Sequence, residues 1–123
     1  MIRFSILFVL AVTFFGQISA FAYFKLGEDA TIPLPVSANY RRNITNRDTF
    51  QYEQHIFRVC NGKNAKKCGF WENIETKKKI PSGKTQYNKN KKALIIKGLL
   101  ANDFGTYMTG NQKKVFRVQK AVN

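Results

Sequence analysis

The sequence predicts an all-β protein, an antiparallel sandwich or barrel of about eight to nine short strands. Two observations carry this. No segment sustains the apolar period of an amphipathic helix, and no internal repeat is present. Short runs rich in β-branched and aromatic residues instead recur at nearly even spacing, divided by Asn, Gly, Pro and Lys turns. The chain of 123 residues suits one domain. At 44% hydrophobic residues it has the apolar side chains for a core, which a disordered polycation lacks.

The first element reads as a secretory leader. Arg3 supplies positive charge, Phe4 to Phe15 is an apolar run, and Gly16 and Gln17 end it before small residues. Cleavage is expected after Ala20 or Ala22. A membrane anchor needs about 20 apolar residues, and Gly16, Gln17 and Ser19 interrupt this run too early. Residues 1–20 are thus expected to be removed. Residues 21–123 should form a single secreted domain without a transmembrane segment.

Ala30 to Leu34 alternates, with Ala30, Ile32 and Leu34 on one face; Pro33 falls on the other face and lacks a ladder donor, so this strand should be irregular or near an edge. Ser37 to Thr49 is polar and reads as a long loop. Phe50 to Val59 reads as a half-buried strand with Phe57 and Val59 on one face. Asn61-Gly62-Lys63-Asn64 is turn chemistry, and a strand resumes from Gly69 to Ile74. After the turn Pro81-Ser82-Gly83, short strands are expected over Thr85–Tyr87 and Ala93–Ile96. Gly105–Thr109 and Val115–Val122 are the last two.

Cys60 and Cys68 are the only cysteines. In an oxidising compartment they are expected to pair and to staple a short turn. Their spacing does not suit a zinc knuckle, and the lone His55 cannot complete a tetrahedral site.

One stretch is more specific. Leu94, Ile96, Leu99, Asp103, Gly105 and Tyr107 stand at the offsets L-x-I-x-x-L-x-x-x-D-x-G-x-Y. This segment resembles the E-to-F region of variable-type immunoglobulin-like domains, and Gly27 to Leu34 resembles their B strand. The chain is also similar to small secreted single-domain immunoglobulin-like proteins of nematodes. The resemblance implies an immunoglobulin-like sandwich in which Tyr107 makes a tyrosine corner, its hydroxyl bonded to backbone a few residues upstream. The departures are specific too. Leu34 and Thr109 stand where the family has its two inter-sheet cysteines. Phe57 is the candidate for the strand-C tryptophan position, which would put Trp71 on strand C′.

Catalytic chemistry lacks its parts. His55 is the only histidine, with no marked nucleophile or second acid–base group beside it. It reads as a surface or half-buried strand residue. No Gly-rich phosphate loop and no metal-ligand spacing occur. No enzymatic activity, cofactor or metal is expected.

Charge is the informative functional feature. Twenty-one Lys and Arg face seven Asp and Glu, a net charge of +14, well beyond the magnitude of about 2–8 that solubility needs. In the resembling fold, Arg41, Arg42, Arg47, Lys77, Lys78, Lys79, Lys89, Lys91, Lys92, Lys113 and Lys114 are expected at or near one end. Lys63, Lys66 and Lys67 are expected at the other. A clustered basic pole attracts polyanions. The expected function is a secreted binding module for an acidic extracellular partner: a sulfated glycan, a cell surface or an acidic protein. The alternative is a cationic defence protein acting on anionic microbial surfaces, though no long amphipathic helix supports it. Secretion leaves nucleic acid out as a biological partner. Asn43-Ile44-Thr45 is a glycosylation sequon in the expected loop, placing a glycan on Asn43.

Overall fold

The computed structural model describes residues 20–110 and 114–121. The expected leader before Ala20, Lys113 and the end of the last expected strand lie outside the described residues. Nine strands form: β1 (Ala20–Phe24), β2 (Ala30–Pro33), β3 (Asn39–Thr45), β4 (Tyr52–Arg58), β5 (Trp71–Asn73), β6 (Lys84–Asn88), β7 (Ala93–Lys97), β8 (Gly105–Thr109) and β9 (Val115–Lys120). They make a six-stranded sheet, β1-β9-β8-β3-β4-β5, and a three-stranded sheet, β2-β7-β6. The protein is an all-β sandwich of these two sheets. All ladders between strands are antiparallel except that β1 runs parallel to β9, with Ala22 opposite Val118.

The expected loop over Ser37–Thr49 is not a loop. Its centre is β3, which sits between β4 and β8 inside the larger sheet. Tyr40, Arg42 and Ile44 point inward and are buried, while Asn39, Arg41 and Asn43 are partly exposed. The period of two was masked because one of its inward positions is an arginine. Phe57 consequently lies on β4, and Trp71 on β5, each one strand later than expected. The first strand was also missed, since Ala20 to Phe24 reads as the tail of the leader.

The core lies between the sheets. Ala30, Ile32 and Leu34 meet Leu94, Ile96 and Leu99 from one side, and Tyr40, Phe57, Trp71, Tyr107, Phe116 and Val118 from the other. Aromatic pairs form both across the layers and within the larger sheet. Tyr40 stacks on Tyr87 of the opposite sheet with ring centres 5.3 Å apart. Trp71 packs 5.4 Å from Phe57 and edge-on 5.6 Å from Tyr107. Pairs of this geometry add about 0.5–1.5 kcal/mol beyond the area they bury. Gly105 is required where β8 enters the sheet, because a Cβ there would be driven into the carbonyl oxygen of Asn43.

Strand direction sorts the connections into two ends. Tyr87 stacks on Tyr40 while Gly83, before β6, shares Asp103 with Arg42, so β6 runs against β3; with the ladders, β3, β5, β7 and β9 run one way and β2, β4, β6 and β8 the other. The β2–β3, β4–β5, β6–β7 and β8–β9 connections therefore share one end. The β1–β2, β3–β4, β5–β6 and β7–β8 connections share the other.

Candidate functional site: a lysine end and a buried charge cluster

Two charged assemblies are built by this topology, and only one faces solvent. The first surrounds Arg42, which β3 directs into the core with no solvent exposure. Its Nη1 donates to Asp103 Oδ1 at 2.6 Å and to the Tyr107 hydroxyl at 3.0 Å. Its Nε donates to His55 Nδ1 at 2.9 Å, and its guanidinium lies 4.1 Å from the Trp71 ring centre. Such stacking on a desolvated indole is a favourable setting for an arginine.

Asp103 is the acceptor that balances this charge. Besides Arg42 it accepts from the Ser82 hydroxyl, from Gly83 N at 2.8 Å and from Leu100 N at 2.9 Å. The Tyr107 hydroxyl donates to the Asp103 carbonyl oxygen at 2.6 Å, four residues upstream, as a tyrosine corner requires. Burial, chiefly, pushes the Tyr107 phenol up to about 12. His55 is fully buried rather than at the surface. Its Nδ1 accepts from Arg42, so its Nε2 carries the proton, facing Glu53 Oε1 at 3.0 Å. Burial first, and the Arg42 charge second, hold the imidazole below its ordinary pKa. Glu53 is held below the usual carboxylate range, mainly by its bond to His55. This cluster ties β3, β4, β8 and the turn before β8 together. Arg42 is thus removed from the basic pole.

The second assembly is at the end shared by the β2–β3, β4–β5, β6–β7 and β8–β9 connections. Lys63, Lys66 and Lys67 lie in the β4–β5 connection, Lys89, Lys91 and Lys92 in the β6–β7 turn, and Lys114 before β9; all are exposed. Arg47 lies in the β3–β4 turn and Lys77, Lys78 and Lys79 in the β5–β6 connection, at the opposite end. Arg41 stands half-buried on the outer face of β3. The expected pole is thereby redrawn: the disulfide-loop trio joins the lysines of residues 89–92, and Arg47 and the 77–79 run leave them. The cause is the unrecognised β3: with it in place the 60–68 turn and the 77–79 run exchange ends, while the β6–β7 and β8–β9 connections keep theirs.

The acidic residues complete the asymmetry. Glu28, Asp29, Asp48, Glu75 and Asp103 lie in connections at the far end, and Glu53 and Glu72 lie on strands. None of the seven acidic residues of the chain stands in the four connections of the lysine end.

That end is also stiff. Cys60 and Cys68 are bridged, with Cα atoms 5.0 Å apart. Inside the stapled loop Asn61 Oδ1 accepts from Lys63 N at 2.8 Å and Asn64 N at 3.2 Å. Asn64 returns the contact, accepting from Asn61 N at 3.0 Å and donating to Val59 O at 3.1 Å. Between this loop, the β2–β3 connection and Lys89 runs an open groove.

Comparison with protein-family models, curated proteins and solved structures returned no match to this chain. The site is accordingly argued from its own chemistry. Asn43 is not in a loop either: it is half-buried on central β3, between Gln54 and Thr106. Among the described residues, no group of three His, Cys, Asp or Glu side chains comes together as a metal site would need. Sequence reasoning had no signal for the Arg42–Asp103 contact, which joins residues 61 positions apart.

Proposed function

We propose that this chain is a secreted, variable-type immunoglobulin-like binding module whose lysine end engages a polyanionic extracellular partner. Support for the family reading comes from strand order. In that fold strands C′ and C″ extend the G-F-C sheet, opposite a sheet holding B, E and D. Here β9-β8-β3-β4-β5 corresponds to G-F-C-C′-C″, and β2-β7-β6 to B-E-D. Tyr40 on β3 then stands for the strand-C tryptophan.

The observation that carries the function is the absence of any acidic residue from the four lysine-end connections. Seven exposed lysines there meet no opposing charge in their own loops, so their fields add and draw in anions. A glycan on Asn43 would sit toward the other end of β3 and leave these lysines uncovered. Secretion and loss of the leader belong to the same reading. Cleavage after Ala20 keeps Phe21 to Phe24 for the β1–β9 ladder, whereas cleavage after Ala22 leaves only Tyr23 and Phe24.

Binding to a sulfated polysaccharide, measured over a series of salt concentrations, tests the proposal. The logarithm of affinity should fall linearly and steeply with the logarithm of salt, as condensed counterions are released. Absence of binding, or binding indifferent to salt, would contradict it.

A further inference from the structure

The groove at the lysine end has a chemistry of its own. Val36, Ser37, Asn39, Asn61, Asn64 and Lys89 are among its lining residues, and its volume is about 700 Å³. That falls within the roughly 300–1,000 Å³ of small-ligand sites. Its walls are mostly neutral amides, a hydroxyl and apolar surface, including the 68% exposed Val36. Two cations line the groove, Lys89 and Arg58, the latter paired with Glu72 of β5, and Lys63, Lys66 and Lys67 stand beside it on the stapled loop.

We infer that the groove is a subsite for a sulfated saccharide, its amides taking the sugar's hydroxyl and amide groups and its lysines the sulfates. This rests on the proposed polyanion-binding role. Three features favour a saccharide over other polyanions. No aromatic side chain lines the groove, so it offers no platform for stacking the bases of single-stranded nucleic acid. Lysine supplies the loop cations at this end, and the one arginine lining the groove, Arg58, is already paired with Glu72; lysine is depleted at protein–protein interfaces, where arginine and aromatics dominate. The mixture of amide, hydroxyl and apolar wall matches a ring that presents hydroxyls at its rim and C–H groups on its faces, whereas a bare polyphosphate would use only the charges.

The experiment compares a sulfated hexasaccharide with inorganic polyphosphate of equal charge at near-physiological salt. The wild-type protein should prefer the saccharide by about tenfold or more. Ala38→Phe places a bulky neutral side chain at an exposed position in the groove without changing charge. It should erase that preference while leaving polyphosphate affinity unchanged. Ser37→Tyr should do the same, and unchanged thermal unfolding of either variant shows that the fold is retained. Equal wild-type affinity for the two ligands, or a preference that survives both variants, overturns the saccharide subsite. Neutralising Lys63, Lys66, Lys67, Lys89, Lys91 and Lys92 together should weaken both ligands. If polyphosphate binding ignores that change, the polyanion role itself fails, which separates the two outcomes.

Discussion

Arg42 Nη1 lies 2.6 Å from Asp103 Oδ1, and neither side chain reaches solvent. An arginine that counts toward a binding charge in the sequence is therefore part of the core. Breaking such a pair from one side leaves a buried uncompensated charge, at a cost of about 3–5 kcal/mol. Arg42→Met and Asp103→Ala should each destabilise by about that amount. The double variant should cost less than their sum by on the order of 1–3 kcal/mol. Urea unfolding of the four proteins measures this, and strictly additive losses would show that the two groups do not act as a pair.

Acid should loosen the same cluster. An unfolded imidazole titrates near 6.5, and His55 is held below that value in the fold. Below the unfolded pKa the unfolded chain binds the extra proton first, so stability falls with falling pH. Glu53, also held low, adds a loss of the same sign further into acid. Arg42 and Asp103 face the imidazole too, and protonating Nδ1 would set an N–H against the Arg42 Nε–H. Stability should be level above about pH 7 and decline below about 6.5. His55→Gln should remove the decline near pH 6, and a decline unchanged in that variant would place the responsible group elsewhere.

Gly105 should tolerate no side chain. Ala at this position presses on the Asn43 carbonyl and on Ile44. Overpacking of this kind costs about 1–3 kcal/mol. A lowered melting temperature is the expected result of Gly105→Ala, and wild-type stability would mean that β8 can move away from β3 at no cost.

Leu34 and Thr109 are both buried and come from opposite sheets. On the immunoglobulin-like reading they hold the two inter-sheet cysteine positions. Leu34→Cys with Thr109→Cys should then form a second disulfide, detectable by mass under non-reducing conditions. Two free thiols in the folded double variant would place the Cα atoms beyond about 7 Å and set the register against that family.

Much of the fold was legible because its signals are local. Leu94, Ile96, Leu99 and Tyr107 are all essentially buried, as their offsets imply, and the Cys60–Cys68 bridge follows from a single cysteine pair closely spaced in a chain read as secreted. What was not legible depended on distant partners. The alternation of β3 is Tyr40, Arg42, Ile44, and it reads as a strand only once Asp103 and Trp71 are known to receive the guanidinium. The same gap displaced the site. With β3 taken for a loop, the stapled turn fell at the wrong end, and the 77–79 lysines were grouped with residues 89–92. The parallel pairing of β1 with β9 was hidden because Ala20 to Phe24 continues the apolar and small-residue pattern read as a leader.

The central claim is that position, and not net charge, makes the lysine end a site. Lys63, Lys66 and Lys67 share that end with Lys89, Lys91 and Lys92; Lys77, Lys78 and Lys79 lie at the other, in the connection that also carries Glu75 and at the end that carries Asp48. The decisive measurement is affinity for a sulfated polysaccharide of two triple variants, each losing three charges: Lys63, Lys66 and Lys67 to Gln, and Lys77, Lys78 and Lys79 to Gln. The first should lose about tenfold or more and show a shallower salt dependence, while the second stays within about twofold of wild type. Equal losses from the two trios, or a greater loss from the second, would contradict the account.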